Sequence, residues 1–168
     1  MSEAQEMRTE LANRLFFRLY QCANMLHKTG SRAIEEEGLT TQQWAVLGAL
    51  SRPQVDGGMK LGDLARYLMV SRQNLAGVIG RLERAGHLVS APDPSDRRSR
   101  LIQMTDNGRE VWRNFALPKI RDYYDLALKD FSTNDIVHTV HYLLKILNNM
   151  QALDVGGDSE SDLDPLTD

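Results

Sequence analysis

The chain has 168 residues, of which 42% are hydrophobic and 26% are charged, and its formal net charge is −3. No apolar run approaches the roughly 20 residues of a membrane span, and the charged N-terminus lacks the apolar region of a secretory signal. Its single cysteine, Cys22, excludes an intrachain disulfide. We therefore expect a soluble globular protein of the reducing cytoplasm, formed by one domain with room for a second lobe.

The charge is unevenly distributed along the chain. Residues 154–168 carry six acidic residues and no basic one, which leaves 20 bases against 17 acids, or +3, in residues 1–153. From Lys60 to Arg113 there are ten bases and six acids, or +4. Local positive charge of this kind favours contact with phosphate. The acidic tail is poor in aromatic residues and is predicted to be disordered.

The N-terminal part of the chain predicts two helices. A long helix is expected from Met7 to Glu37, with Gly38 as its stop. Its apolar residues recur every three or four positions, at Leu11, Leu15, Leu19, Cys22, Leu26 and Ala33. Thr40 or Thr41 is suited to cap the second helix, which ends before Pro53. The stretch P-Q-V-D-G-G that follows has the composition of a loop.

The middle of the chain predicts two short helices followed by a hairpin. Leu61–Leu68 forms the first helix, Met69 and Val70 make a turn, and Ser71 caps the second helix up to Ala85. Their inward residues are expected to be Leu64, Ala65, Leu68, Leu75, Val78, Ile79 and Leu82. Two β-type runs then flank a turn that is rich in arginine. This order is the plan of a winged helix-turn-helix.

The C-terminal part predicts two further helices. Thr105 caps a long helix that runs to Lys129 with a kink at Pro118, and Ser132 with Asp135 opens the last one. The outer helices are too apolar to be covered by one small lobe. We therefore expect a mainly α fold with a small β wing. Residues 7–37 and 105–153 would form a dimerisation region around a DNA-binding domain of residues 40–104, with 154–168 as the tail.

Four residues at the start of the second short helix are candidates for DNA contact. A recognition helix meets base edges with its N-terminal residues, and Arg, Gln and Asn can form bidentate contacts with guanine or adenine. The candidates are Ser71, Arg72, Gln73 and Asn74. A solvated helix start is the alternative. Further along, Arg81 and Arg84 are either phosphate contacts or surface charges.

The turn between the two strands carries the basic side chains of the predicted wing. Arg97, Arg98 and Arg100 are candidates for minor-groove or phosphate contact. Asp93 and Asp96 are expected to hold the turn or orient the arginines, because carboxylates repel phosphate. The alternative is a turn in which these side chains form surface ion pairs, each of which stabilises the fold by under about 1 kcal/mol.

The run L-G-D-L-A-R-Y-L-M-V-S-R-Q-N-L and the later run D-P-S-D-R-R-S-R-L-I-Q-M-T-D-N-G resemble the multiple-antibiotic-resistance regulator (MarR) family. The likeness covers residues 7–153, and its most specific feature is D-x-x-D-R-R followed by L-T-x-x-G, in which Met104 replaces the usual leucine. The resemblance implies an obligate homodimer, a palindromic operator and repression relieved by a small ligand. By the family pattern, Arg97 or Arg98 would be the wing-tip contact.

A narrower resemblance points to family members that control aromatic-acid catabolism, including those that answer to hydroxycinnamoyl-CoA or benzoate-type compounds. It rests on L-F-F-R-L-Y-Q-C-A-N-M-L-H-K-T-G and L-T-T-Q-Q-W-A-V-L-G-A-L. Four cations of the first helix lie within about 80° of one another and could hold the phosphates or carboxylate of an anionic effector. The candidate ligand residues are Arg14, Arg18, Phe16, Tyr20, His27, Lys28, Arg32, Trp44 and Tyr67. A solvated charged face and plain core packing are the alternatives.

Other functions have less support in the sequence. Cys22 could act as a redox-sensing thiol, although its apolar stripe favours a buried, inert one. His138 and His141 could ligate a metal, but no third ligand is evident nearby, so neither a metal nor a cofactor is predicted. The chain has no G-x-S-x-G, Walker or H-E-x-x-H motif, and we predict that it is not an enzyme. A winged-helix interaction module that does not bind DNA remains an alternative.

Overall fold

The structure, a computed structural model, describes residues 2–55 and 57–154, so the predicted acidic tail beyond Asp154 lies outside the described residues. The helices in this part of the chain are α1 Glu3–Ala33, α2 Thr41–Leu50, α3 Leu61–Leu68, α4 Arg72–Arg84, α5 Asp106–Glu110, α6 Leu117–Ala127 and α7 Thr133–Asp154. The strands are β1 Met59–Lys60, β2 Leu88–Asp93 and β3 Asp96–Met104, in the antiparallel order β1-β3-β2. The mainly α fold with a small wing is confirmed.

The chain divides into two compact units, the first ending at Leu126 and the second beginning at Ala127. Within the first unit, apolar side chains of α2, α3 and α4 pack on the sheet and on the helix that follows it. The inward residues predicted for the two short helices are buried, except that Leu68 is half-buried. Trp112 and Ile120 close this core from the C-terminal side. The core thus fixes α4 and the hairpin in one frame.

Helix α1 is longer at its start and shorter at its end than predicted. Ser2 caps it by accepting a hydrogen bond from the Gln5 amide at 3.4 Å. The helix ends at Ala33 because Ile34 turns into the core and is fully buried there. A short 3-10 turn follows, and Gly38 stops it in the left-handed conformation with φ 67°. Gly38 therefore ends this turn and not the long helix, whose predicted end at Glu37 is wrong.

A reciprocal capping box begins α2. The Gln43 amide donates to Thr40 Oγ1 at 3.4 Å, and the Thr40 amide donates to Gln43 Oε1 at 2.9 Å. Thr40, and not Thr41, is therefore the cap. Thr41 is left to face α1, where its amide donates to Ser31 Oγ at 3.1 Å.

The helix after the wing is less regular than predicted. Thr105 caps it as expected, by accepting from the Gly108 amide at 3.0 Å. The backbone then widens into a π-helical segment, Val111–Ala116, before α6, which ends at Ala127 instead of Lys129. Pro118 has no amide hydrogen and its ring crowds the carbonyl four residues earlier, so regular α-helix is disfavoured just upstream. The irregularity therefore precedes the proline.

The second unit contains α7, which begins as predicted. The Ser132 amide donates to Asp135 Oδ2 at 2.8 Å, and the Asp135 amide donates to Ser132 Oγ at 3.2 Å. These two bonds form a capping box with aspartate in the place of glutamate. Its apolar residues Val137, Val140, Leu144 and Leu147 are exposed.

Candidate nucleic-acid interface

Helices α3 and α4 are joined by a tight turn. Met69 adopts the left-handed conformation with φ 55°, and the Val70 amide donates to the carbonyl of Ala65 at 3.1 Å. Ser71 then caps α4 by accepting from the Asn74 amide at 3.2 Å. This arrangement ends one helix and starts the next within three residues, as the sequence predicted.

The first turn of α4 presents exposed polar side chains. Arg72, Gln73 and Asn74 are all exposed to solvent. The guanidinium of Arg72 lies beside α3, where a Cβ added to Gly62 would be 3.5 Å from Nε and from Nη2. Arg72 thus extends along α3 and is still exposed to solvent. Arg81 and Arg84 are exposed further along the same helix.

A buried carboxylate closes the turn of the hairpin. Asp93 is 5% exposed and accepts hydrogen bonds from the amide of Ser95 at 2.8 Å and its hydroxyl at 2.7 Å. Lys60 Nζ lies 3.1 Å from Asp93 Oδ2 and 4.0 Å from Asp96 Oδ2. The two Ser95 hydrogen bonds, aided by Lys60, lower the pKa of Asp93 from 3.8 to about 2. The expectation that Asp93 holds the turn is confirmed.

The predicted wing arginines have different surroundings. Arg100 donates from Nη2 to the carbonyl of Ser90 on the adjacent strand, so its guanidinium braces the hairpin. Ser90 Oγ in turn donates to Glu83 Oε1 on α4 at 2.5 Å. The side chains of Arg97 and Arg98 lie outside the described part of the structure. Their role in DNA contact stays a prediction.

The root of the hairpin packs directly on the start of α5. The Thr105 amide donates to the carbonyl of His87 at 3.0 Å, and Arg109 Nη1 donates to the carbonyl of Met104 at 2.8 Å. Gly108 is buried here, and a Cβ at this position would lie 2.1 Å from the His87 oxygen. The wing is therefore held at its tip, along its strands and at its root.

A cavity of about 480 Å³ lies beside α4. Side chains of α1, α2, α3 and α4 and of the α3–α4 turn line it, and most of them are apolar. His27 Nδ1 and Thr41 Oγ1, which are 2.6 Å apart, form a polar point on its wall. Asn74 and Leu75 of α4 form part of the same wall. The cavity thus touches the helix that carries the candidate base contacts.

The predicted ligand residues are not brought together. Of the nine, all within the described residues, His27 alone lines this cavity. The side chains of Phe16, Tyr20, Lys28 and Arg32 are exposed along α1. Two of the arginines have polar partners on α1 itself: Arg14 forms an ion pair with Glu10, and Arg18 donates a hydrogen bond to Gln21 at 2.9 Å. The two remaining aromatic residues lie elsewhere. Trp44 packs on Tyr123 and Tyr124, and the guanidinium of Arg52 lies over the ring of Tyr67. The spacing of the cations indicated a common helix face, but Arg14 and Arg32 lie about 27 Å apart along α1, which is too far for one small ligand.

Three features of the site were missed or misjudged from the sequence. Lys60 was not singled out, because a two-residue strand has no periodicity to detect. Asn74 was predicted as a base contact only, yet it also lines the cavity. Cys22 was expected to be buried, but it is exposed in the single chain, because the face of α1 that carries it is not covered by this chain.

Comparison with known proteins identifies the family. A sequence profile described as MarR family matches residues 37–99. The transcriptional activatory protein BadR of Rhodopseudomonas palustris is 69% identical over 158 residues, which are 94% of this chain and 90% of BadR. The chain belongs to the MarR family. It is a winged-helix transcriptional regulator, and its relatives are regulators and not enzymes.

Two more distant comparisons also find transcriptional regulators. The homoprotocatechuate degradative operon repressor of Escherichia coli is 27% identical and matches 76% of this chain and 84% of that protein. A crystal structure of a probable transcriptional regulator from Pseudomonas aeruginosa has 27% identity and a TM-score of 0.68, covering 82% of this chain and 98% of that one. Within residues 2–55 and 57–154, no helix is long and apolar enough to cross a membrane.

Proposed function

We propose that this MarR-family regulator is a homodimer that binds a palindromic operator and responds to a small aromatic anion. The observation that carries the DNA-binding mode is the start of α4, where Ser71 fixes the helix end and leaves Arg72, Gln73 and Asn74 exposed. Polar side chains at this position of a helix-turn-helix are placed to enter the major groove. The wing then lies beside the backbone of the same duplex.

The proposed contacts divide between base recognition and phosphate binding. Arg72 and Gln73 are assigned to base edges, since both can form bidentate contacts. Asn74 has two assignments, because it is exposed on α4 and also lines the cavity. The phosphate contacts are assigned to Arg81, Arg84, Arg97, Arg98 and Arg100. Arg100 uses Nη2 in its hydrogen bond to Ser90, and the other N–H groups of this exposed side chain are assigned to the DNA backbone.

Exposed apolar side chains on α1 support a homodimer. Met7, Leu11 and Leu15 follow one another at intervals of four residues and are 65%, 58% and 48% exposed. Soluble proteins rarely leave an apolar stripe of this length uncovered. A second copy of the chain would cover these side chains. The assignment of residues 7–37 and 105–153 to a dimerisation region rests on this argument.

The effector is proposed to occupy the cavity beside α4. Its volume of about 480 Å³ lies in the range of small-molecule sites. An aromatic acid or its CoA thioester is the proposed ligand class, supported by the name of the Escherichia coli relative, which regulates homoprotocatechuate degradation. The ring would enter the apolar cavity, where His27 and Thr41 supply polar contacts. The redox alternative at Cys22 is not favoured.

The relatives differ in the direction of regulation. BadR is named an activatory protein, whereas the Escherichia coli relative is a repressor. Because BadR shares 69% identity and the repressor 27%, we propose activation. Repression, which the sequence resemblance implied, is the alternative. A reporter gene behind the target promoter distinguishes the two, since deleting the regulator lowers expression in the first case and raises it in the second.

DNA binding is tested with a promoter fragment over a range of salt concentrations. Binding through several phosphates weakens steeply as salt rises. We expect Arg97→Ala with Arg98→Ala to weaken binding to all operators and to reduce the salt slope by about one per lost phosphate contact. An unchanged slope in the double variant would remove the wing tip from the interface. No binding at low salt would favour a module that does not bind DNA.

Sequence recognition is tested separately at the start of α4. Arg72→Ala should lose about 1–3 kcal/mol of discrimination at one base pair. Arg66→Ala is the matched control, because Arg66 is exposed on α3 and pairs with Asp63. If both variants keep the operator preference of the native protein, recognition does not lie in the first turn of α4.

The effector is sought by screening aromatic acids and their CoA thioesters against the protein–promoter complex. A true effector changes the affinity for DNA, and His27→Ala should weaken that response. A response that is the same in His27→Ala would place the effector elsewhere. No response to either class would remove the ligand assignment and leave the regulator assignment intact.

A further inference from the structure

A second cavity, of about 520 Å³, lies within the first unit. It is formed by the end of α2, the loop before β1, the base of β3 and the π-helical segment with its neighbours. None of its lining residues is shared with the cavity beside α4. The proposed DNA contacts and effector site do not use it.

Three arginines line this second cavity, namely Arg52, Arg109 and Arg113. Among the described residues that form its wall there is no aspartate or glutamate. Like charges around one concave surface reinforce each other's potential, and the low-dielectric walls focus it. Such a site attracts anions. Among the described residues that line the cavity beside α4, there is no arginine or lysine.

The three arginines differ in how far they are already paired. Arg109 Nη2 lies 2.8 Å from Asp106 Oδ1, so its charge is largely balanced. The guanidinium carbon of Arg52 lies 4.9 Å from the ring centroid of Tyr67, a contact that orients the group without neutralising it. The guanidinium of Arg113 makes no hydrogen bond or ion pair within the described part of the chain. Within the described residues, no carboxylate therefore balances the charges of Arg52 and Arg113.

Apart from Ser51 and Gln103, the rest of the wall is apolar and partly aromatic. Pro53, Val55 and Leu117 line the cavity, and Trp112, which is 7% exposed, also contributes to its wall. A small, fully hydrated ion would gain nothing from these surfaces. A planar ring would bury apolar area against them while its charged groups faced the arginines.

We propose that this cavity binds a small organic dianion carried on a ring, such as an aromatic dicarboxylate or an aryl phosphate. Two unbalanced guanidinium groups match a charge of −2, and guanidinium forms bidentate pairs with both carboxylate and phosphate. The site is separate from the effector cavity. Because Gln103 and Met104 of β3 belong to its wall, an occupant contacts the root of the wing.

The test uses the full chain without DNA and follows the fluorescence of Trp112. The chain has two tryptophans, and Trp44→Phe leaves Trp112 as the only one. Phthalate is the dicarboxylate probe, phenyl phosphate is the phosphate probe, and benzoate and inorganic phosphate are the comparisons. We expect a saturable change with at least one dianionic probe and binding about tenfold weaker for benzoate, which loses one charge-assisted pair.

Matched variants locate the probe in the cavity. In the Trp44→Phe background, Arg113→Gln should weaken the dianionic probe about tenfold or more. Arg121→Gln, an exposed residue of α6 that does not line the cavity, should leave it unchanged. His27→Ala should also have no effect, which separates this site from the effector cavity.

Three results would overturn the proposal. One is the absence of a saturable change with both dianionic probes. Another is equal binding by Arg113→Gln and its parent, with circular dichroism showing that both are folded. The third is that benzoate or inorganic phosphate binds as tightly as the ring dianions. This would show that the cavity does not require both a ring and two negative charges. None of these results bears on operator binding.

Discussion

Gly108→Ala should destabilise this protein, although the same substitution inside a helix is normally favourable. Gly108 is buried in the first turn of α5, where an added Cβ would meet the His87 oxygen at 2.1 Å, its carbon at 2.9 Å and its Cα at 3.1 Å. Real Cβ atoms essentially never approach another atom closer than 3.0 Å. All three neighbours are backbone, so no side-chain rotation relieves the clash. Either the hairpin root or α5 must move.

The expected change in the free energy of unfolding is the balance of two destabilising effects and one stabilising effect. Overpacking that shifts backbone costs about 1–3 kcal/mol, and occasionally more. The shift also strains the hydrogen bond from the Thr105 amide to His87, at 3.0 Å, which is worth about 0.5–1.5 kcal/mol. The higher helix propensity of alanine stabilises the variant by at most about 1 kcal/mol. We expect a net loss of about 2 kcal/mol in the free energy of unfolding, or a fall of about 4–8 °C in Tm.

Gly77→Ala is the matched control. Gly77 lies in α4, is exposed, and an added Cβ would meet only Arg81 Nη1, at 3.9 Å. With no clash, propensity should stabilise the protein by about 0.5–1 kcal/mol. Both variants are compared by urea and thermal unfolding at one protein concentration, since association shifts the apparent stability. If Gly108→Ala is as stable as the native chain, the close contact between α5 and His87 does not constrain the fold.

Three other predictions concern the hairpin, α4 and α1. Because the folded pKa of Asp93 is about 2 and the unstructured value is 3.8, its stabilising effect is complete above about pH 5 and is lost as pH falls through 2. Asp93→Asn should therefore lower the urea midpoint much more at pH 6 than at pH 2, and an equal loss at both would contradict this origin. Ser71→Ala should cost about 1 kcal/mol through the lost cap, measured by urea unfolding; a loss within error would show that the cap is dispensable. Leu15→Glu should yield monomers in sedimentation velocity, whereas Gln21→Glu should not; a dimeric Leu15→Glu would exclude this stripe from the interface.

Local signals predicted the elements of this fold well. Helix caps are predictable because each depends only on a hydroxyl and a backbone amide three residues apart. Four predicted caps are present, at Thr40, Ser71, Thr105 and Ser132. The apolar faces of α3 and α4 were likewise predicted from residues within one or two turns. The order of these elements indicated a winged helix-turn-helix, and the resemblance to the MarR family agreed with that interpretation.

The remaining features depend on contacts between distant parts of the chain. Lys60 reaches Asp93 because β1 pairs with β3, a pairing of residues about 40 positions apart in the sequence. The cavity beside α4 is built from four elements, and only His27 of the predicted ligand residues lies there. The spacing of Arg14, Arg18, Lys28 and Arg32 indicated a common helix face, but these cations lie over several turns. Periodicity gives the face of a helix, whereas a binding site also needs the partner that faces it.

The π-helical segment makes the protein sensitive to chain length at one place. Removing one residue between Val111 and Ala116 would allow a regular α-helix, but everything after it would turn by about 100° and shift by about 1.5 Å. Tyr123, whose hydroxyl lies 2.9 Å from Thr29 Oγ1 and whose ring lies 6.1 Å from that of Trp44, would then face away from both. Exposed side chains in this segment can vary freely, while a single-codon deletion would disconnect α6 from α1. Among relatives, substitutions should therefore accumulate here and gaps should not.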